Sequence, residues 1–127
     1  MTPDNDTPPT TAGTPPGAAS DGEDGAFSVT LTLEHGYRFA VEPGLPGAEG
    51  FHIDETPPLG EGSAANPSRI LVSAMASCLA SSLAFCLGKS RIELKGMRAV
   101  ARGTLVRNER KRLRVGSVHI ELFPEVA

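Results

Sequence analysis

The sequence is poor in aromatic residues and in the residues that bind metal ions. Its 127 residues include no tryptophan, one tyrosine, five phenylalanines, two cysteines and three histidines. The histidines, His35, His52 and His119, are scattered along the chain and lack the spacing of metal ligands. We therefore expect neither a metal ion nor any other cofactor.

Net charge is also small, at -3 from 12 basic and 15 acidic residues. The densest basic run is RNERKRLR at residues 107–114, which Glu109 interrupts and in which no aromatic residue is interleaved. We interpret this run as the solvated turn of a hairpin rather than a phosphate-binding patch. The sequence predicts no nucleic-acid partner.

The N-terminal segment lacks the apolar residues needed for a folded core. Residues 1–25 contain five acidic residues, no lysine or arginine, and mostly Pro, Thr and Gly. Such a composition predicts a disordered tail over residues 1–26. The segment has no basic stretch followed by an apolar one, so it does not resemble a secretory signal. We therefore expect a cytoplasmic protein, in which a structural disulfide is not favoured.

From Ile70 to Leu87 there are 18 consecutive uncharged residues, and with Gly88 they fill the interval between Arg69 and Lys89. This length is the lower limit for a membrane span. Four serines interrupt the run, however, and the segments that follow alternate like the strands of a soluble domain. The pattern favours a buried helix over a membrane span. A small domain rarely surrounds such a helix alone, so a second copy of the chain is the expected cover.

The remaining patterns predict an α+β domain over residues 27–127. Asn66 and Pro67 mark the start of the long helix, and Gly88 marks its end. Before the helix we expect a β-hairpin over residues 27–41 with its turn at 35–36, a short strand at 51–54 and a Pro/Gly loop at 55–67. After it, two alternating segments meet at a turn over residues 108–111. A further helix and strand would complete the sheet, so the domain is interpreted as C-terminally incomplete.

Both cysteines, Cys78 and Cys86, lie on the predicted helix. Eight residues along a helix span about 12 Å, whereas a disulfide requires Cα atoms within about 7 Å. The two cysteines therefore cannot pair within one intact helix. A reactive thiol usually has a cation beside it, and the candidates for Cys78 are Arg38 in the first hairpin and Arg69 at the helix start.

Several motifs in this order resemble the OsmC/Ohr family of hydroperoxide-reducing proteins. They are the acidic pair Asp54-Glu55 followed by PPLGEG, the NPSRIL that opens the helix, the ASC around Cys78, and the exit GKSRIELKGM. The resemblance extends over about residues 28–127. It is stronger to an actinobacterial-type OsmC-like subgroup than to the typical organic hydroperoxide resistance proteins.

The resemblance implies an intertwined homodimer with long central helices buried between two sheets and active sites at the subunit interface. It also implies a thiol peroxidase of oxidative-stress defence that acts on organic hydroperoxides or hydrogen peroxide. Cys78 matches the peroxidatic cysteine, and Arg38 matches the arginine that stabilises its thiolate. An external thiol or dithiol would be the reductant. The expected partners are thus the second copy, the hydroperoxide and this reductant, with no membrane.

Two departures from the family pattern support an alternative. Ser68 occupies the position of a glutamate that orients the arginine in typical peroxidases, for which Glu55 or Glu61 is the candidate substitute. The family's resolving cysteine comes from a C-terminal region absent from this sequence, and Cys86 is interpreted as packing. The alternative is a non-catalytic OsmC-like module, or an inactive fragment, whose cysteines pack in the core.

Overall fold

The structure, a computed structural model, describes residues 25–127. Its elements in chain order are β1 (Thr30–His35), β2 (Arg38–Glu42), β3 (Phe51–Ile53), α1 (Pro67–Lys89), β4 (Leu94–Arg107) and β5 (Leu113–Val126). This order confirms the α+β class and the predicted succession of strands around one helix. Disorder was predicted for residues 1–26, and residues 1–24 of this segment lie outside the described residues.

The described residues divide into two compact units, residues 25–64 and Ala65–Ala127. The described part of the first unit contains a three-stranded antiparallel sheet in the order β1-β2-β3. His35 pairs with Arg38, so the β1–β2 turn consists of Gly36 and Tyr37, one residue later than predicted. Gly36 has a φ of 53°, a conformation that glycine adopts without steric cost.

The register of this hairpin changes beside its turn. Leu33 pairs with Phe39, but the next pair is His35 with Arg38, so Glu34 is the extra residue of a β-bulge. A bulge redirects the side chain that it carries and increases the local twist. The bulge therefore determines where the Glu34 carboxylate points.

The second unit contains the β4–β5 hairpin and α1. The hairpin turn is closed by Asn108, whose Oδ1 accepts hydrogen bonds from Arg110 N at 2.8 Å and Arg112 N at 3.0 Å. The helix packs on this hairpin, and its buried residues are Val72 and Ala76. Gly103 of β4 allows this approach, because a Cβ there would lie 3.3 Å from Val72 Cγ2.

The start of α1 is as predicted, since Asn66 Oδ1 accepts a hydrogen bond from Arg69 N at 3.1 Å. The predicted end at Gly88 is wrong. The helix continues through Gly88 to Lys89, and Arg91 has the left-handed φ of 63°. Arg91 N donates to Gly88 O and Ile92 N donates to Leu87 O, both at 2.9 Å. These bonds form a Schellman motif, in which Arg91 has the left-handed conformation that glycine usually adopts.

Within the second unit, α1 is only partly buried. In the most apolar 18-residue stretch of the helix, only 11% of the residues are buried. Its exposed apolar face carries Leu71, Met75, Leu79 and Phe85, the last of which is 68% exposed. By length and a mean hydropathy of 2.1 the helix is able to cross a membrane, but core helices of soluble proteins have the same features. Its predicted burial against a second copy therefore stays a prediction.

Candidate functional site

Arg38 is the first residue of β2 and is held at two points. Its Nε donates to Glu34 Oε1 at 2.9 Å, and its Nη1 donates to Ser63 Oγ at 2.7 Å. The β1–β2 turn places Glu34 and Arg38 close together, while Ser63 comes from the loop that precedes α1. An arginine has five N–H donors. Two of them fix this guanidinium group, and within the described residues the other three have no hydrogen-bond partner.

Glu34 is the acidic partner of Arg38, a role for which the sequence had suggested Glu55 or Glu61. Its second oxygen, Oε2, lies 3.3 Å from His52 Nε2 on β3. The hydrogen bond from Arg38 is the main cause that lowers the pKa of Glu34 below its usual value of 4.5, and His52 adds to the effect. Glu34 is therefore ionised at neutral pH. The two expected substitutes were wrong, because the bulge that directs Glu34 toward Arg38 leaves no mark in the strand pattern.

Ser63 connects Arg38 to a buried carboxylate. Asp54 is only 1% exposed, and its Oδ2 accepts hydrogen bonds from Ser63 N at 3.0 Å and from Ser63 Oγ at 2.7 Å. These two bonds, the hydroxyl one first, lower the pKa of Asp54 below its usual 3.8, although burial opposes them. Oδ1 accepts no hydrogen bond of standard geometry from the described residues, and the N–H groups of Glu55 and Glu61 assist the carboxylate electrostatically.

The loop between Asp54 and Ser63 closes around the carboxylate. Gly60 N donates to Thr56 O and Gly62 N donates to Glu55 O, both at 3.0 Å. A Cβ on Gly60 would lie 2.6 Å from Asp54 Oδ1 and would collide with Glu55 O. Glycine is thus required at position 60. The PPLGEG motif of the sequence is the part of this loop that brings Ser63 back to Asp54.

We refer to Glu34, Arg38, His52, Asp54 and Ser63 as the Arg38 cluster. It lies entirely within the first unit. It contains one arginine, two carboxylates with lowered pKa values, one histidine and one serine. Such a cluster supplies a fixed positive group with unused donors, which is suited to stabilise a thiolate or a developing oxyanion.

Cys78 lies in the middle of α1, within the second unit, and both it and Cys86 are free and exposed. At 100° per residue, Cys78 is about 160° around the helix from the buried Ala76, on the face directed away from the β4–β5 hairpin. It lies with Cys86 in a shallow groove formed by residues of α1 itself. Within the second unit neither cysteine packs in a core, so the interpretation of Cys86 as packing stays a prediction.

Arg69 does not accompany Cys78. The two residues are nine positions apart on α1, which corresponds to about 14 Å along the axis and to opposite faces of the helix. Arg69 instead lines a cleft of about 520 Å³ between α1 and the β4–β5 hairpin, with Val72, Ala76 and Gly103. Of the two arginines expected near Cys78, its own helix therefore excludes Arg69. Arg38 belongs to the first unit.

The architecture agrees with that of solved structures. A protein from Psychrobacter arcticus, described as an osmotic stress induced and detoxification response protein, matches with a TM-score of 0.68 and 21% sequence identity. The alignment covers 79% of this chain and 71% of that protein. An OsmC-like protein of unknown function from Vibrio cholerae also matches, with a TM-score of 0.68, 17% identity, and coverage of 79% and 74%. The chain has the OsmC fold.

Sequence comparisons add nothing to this structural likeness. No protein-family model and no curated protein matches the chain. Identities of 21% and 17% leave the OsmC fold as the common feature of these structures. Within this fold, the sequence motifs now have places: the PPLGEG loop encloses Asp54, NPSRIL opens α1, and Cys78 is at mid-helix.

No group of three or more His, Cys, Asp or Glu side chains suited to a metal ion is found within residues 25–127.

Proposed function

We propose that this chain is a member of the OsmC family and a cysteine-based peroxidase, in which Cys78 reduces organic hydroperoxides or hydrogen peroxide. The observation that carries the proposal is the Arg38 cluster, in which Glu34 and Ser63 hold the expected arginine at two of its donors. The OsmC fold and the mid-helix position of Cys78 support it.

The first half-reaction uses the Cys78 thiolate as nucleophile. Its sulfur attacks one peroxide oxygen, so that an S–O bond forms and the O–O bond breaks. The sulfur is oxidised by two electrons to a sulfenic acid, and the peroxide is reduced to an alkoxide that takes up a proton and leaves as an alcohol or water. The Arg38 guanidinium would stabilise both the thiolate and the leaving oxygen, since each is an anion that accepts hydrogen bonds.

The second half-reaction restores the thiol. Cys86 is about 12 Å from Cys78 along the same helix, so the two cannot join within one chain. Instead, an external thiol condenses with the sulfenic acid to form a mixed disulfide and water. A second thiol then releases Cys78 as the thiol and leaves the external pair as a disulfide. Such thiols are abundant in the cytoplasm, where we place the protein.

The proposal includes a homodimer formed through α1. The face that carries Leu71, Met75, Leu79 and Phe85 is exposed within the second unit, and contiguous apolar faces of this kind mark interaction sites. Cys78 is on this face, so a second copy placed there would enclose its thiol at a subunit interface. The alternative cover, a lipid bilayer, predicts recovery of the chain in the membrane fraction. We expect recovery in the soluble fraction as a dimer.

The decisive test is the stoichiometric reaction of the reduced protein with cumene hydroperoxide. The products are identified by intact mass and by a reagent that traps sulfenic acids. We expect rapid addition of one oxygen at Cys78 in the natural sequence and in Cys86→Ser, and none in Cys78→Ser. Arg38→Ala should retain the thiol but react more slowly. Oxidation of Cys78 no faster than that of a free thiol would favour the non-catalytic module.

A further inference from the structure

The direction of the hydrogen bonds at Ser63 is fixed by chemistry. Its Oγ lies 2.7 Å from Arg38 Nη1 and 2.7 Å from Asp54 Oδ2. A guanidinium group only donates hydrogen bonds, and an ionised carboxylate only accepts them. The Ser63 hydroxyl must therefore give its single hydrogen to Asp54 and accept the hydrogen from Arg38. The buried charge of Asp54 polarises this hydroxyl and makes its oxygen a better acceptor for the guanidinium.

The Ser63 side chain has little freedom to turn away. Asp54 Oδ2 binds both its hydroxyl and its backbone N–H. The carboxylate is itself fixed by burial at 1% exposure and by the loop in which Gly60 lies against Oδ1. Ser63, in contrast, is an exposed residue whose side chain has no packing function that would account for this arrangement.

Two anchors together determine the plane of the guanidinium group. Glu34 holds Nε from the side of the hairpin, and Ser63 holds Nη1 from the side of the loop. With Glu34 alone, the group could still rotate about that one hydrogen bond. The second anchor fixes the orientation of the three remaining N–H donors, and catalysis depends on such orientation.

We infer that Ser63 and Asp54 are positioning residues for the peroxidase reaction: Asp54 orients the Ser63 hydroxyl, which orients the guanidinium group of Arg38. This inference rests on the proposed function and adds two residues to it. It adds Ser63 and Asp54 to Glu34 as the residues that hold the guanidinium group of Arg38 in place.

The test is the second-order rate constant for oxidation of Cys78 by cumene hydroperoxide, measured by stopped flow across a range of pH. Ser63→Ala should lower this constant about tenfold or more, because displacement of a positioned group costs on this scale. Its pH profile should move to higher pH, since Arg38 would stabilise the thiolate less well. Asp54→Asn should produce the same two effects.

A matched pair of variants separates orientation from packing. Threonine and valine have nearly the same shape, but only threonine keeps the hydroxyl. We expect Ser63→Thr to react at close to the natural rate and Ser63→Val to be as slow as Ser63→Ala. In the Arg38→Ala background, Ser63→Ala should cause no further loss, because a residue that acts through Arg38 has nothing left to orient. Circular dichroism establishes that each variant is folded.

Each other outcome overturns one idea. Equal rates for Ser63→Thr and Ser63→Val, or a loss that adds to that of Arg38→Ala, would refute the positioning function and leave the peroxidase intact. If Ser63→Ala does not fold, the comparison of Ser63→Thr with Ser63→Val still tests the positioning function. Peroxide consumption that is unchanged in both Cys78→Ser and Arg38→Ala would refute the proposed function itself.

Discussion

A single methyl group at position 60 should destabilise the first unit. In Gly60→Ala the new Cβ would lie 2.6 Å from Asp54 Oδ1 and closer still to Glu55 O, whereas real Cβ contacts essentially never fall below 3.0 Å. Neither neighbour moves freely, because one is backbone and the other belongs to a carboxylate whose Oδ2 accepts two hydrogen bonds from Ser63. Overpacking of this kind typically costs about 1–3 kcal/mol. For a domain of this size, 2 kcal/mol lowers the melting temperature by roughly 8–16 °C.

The assay is urea unfolding followed by circular dichroism at a fixed protein concentration. Gly88→Ala is the matched control, because it adds the same methyl group within α1, where nothing lies within 4 Å of the new atom. Replacing a helical glycine by alanine stabilises by up to about 1 kcal/mol. The two variants should therefore shift the free energy of unfolding in opposite directions.

The reasoning would be refuted if Gly60→Ala unfolded at the same urea concentration as the natural sequence. It would also be refuted if both alanine variants shifted stability with the same sign. Loss of peroxidase activity in Gly60→Ala without loss of stability would show that the loop relaxes around the methyl group and moves Ser63 as it does so.

Three further variants test the helix ends and the buried carboxylate. Arg91→Gly should raise the free energy of unfolding by about 1 kcal/mol in urea titrations. The left-handed conformation costs an arginine about 1–2 kcal/mol, and glycine removes this cost. Part of the gain is offset because glycine loses more conformational entropy on folding. Asn66→Ala should lower the free energy of unfolding by about 1 kcal/mol through loss of the N-cap, and an unchanged midpoint would contradict that role. The pKa of Asp54 is below its usual 3.8 in the fold, so its ionised form stabilises the fold above pH 3.8, and this stability is lost as the pH falls through the lowered pKa. In melting curves, the stability that Asp54→Asn loses relative to the natural sequence should therefore be largest at neutral pH and should shrink below pH 3.8. A loss of stability that does not change with pH would exclude ionisation of Asp54 as its cause.

Local signals in the sequence predicted the elements well. Asn66 and Pro67 located the start of α1, because an N-cap interaction joins residues only three positions apart. Alternation and the Asn108 turn located the long β4–β5 hairpin for the same reason. The end of α1 was misplaced, since glycine is only a preference for the left-handed position and the chain uses Arg91 there.

The roles of Cys78 and Arg38 stay predictions. The residues alone had left Arg38 and Arg69 as alternatives beside Cys78, the resemblance selected Arg38, and the geometry of α1 removes Arg69. Glu34 and Ser63 were missed. Glu34 became available through a one-residue bulge, which an alternating pattern does not reveal. The only signal of the Glu34–Arg38 pair in the sequence was the spacing of four residues between them, with Gly36 in the turn.

The sequence by itself determined the α+β order, the apolar helix and the separation of its two thiols, because each of these depends on short-range periodicity and on fixed helical rise. Only the tertiary structure decided what holds Arg38. Its bond to Ser63 joins residues 25 positions apart, and Asp54 is available to orient that serine only because a glycine-containing loop folds back over it. Such contacts arise from chain closure in three dimensions, and no local pattern of residues encodes them.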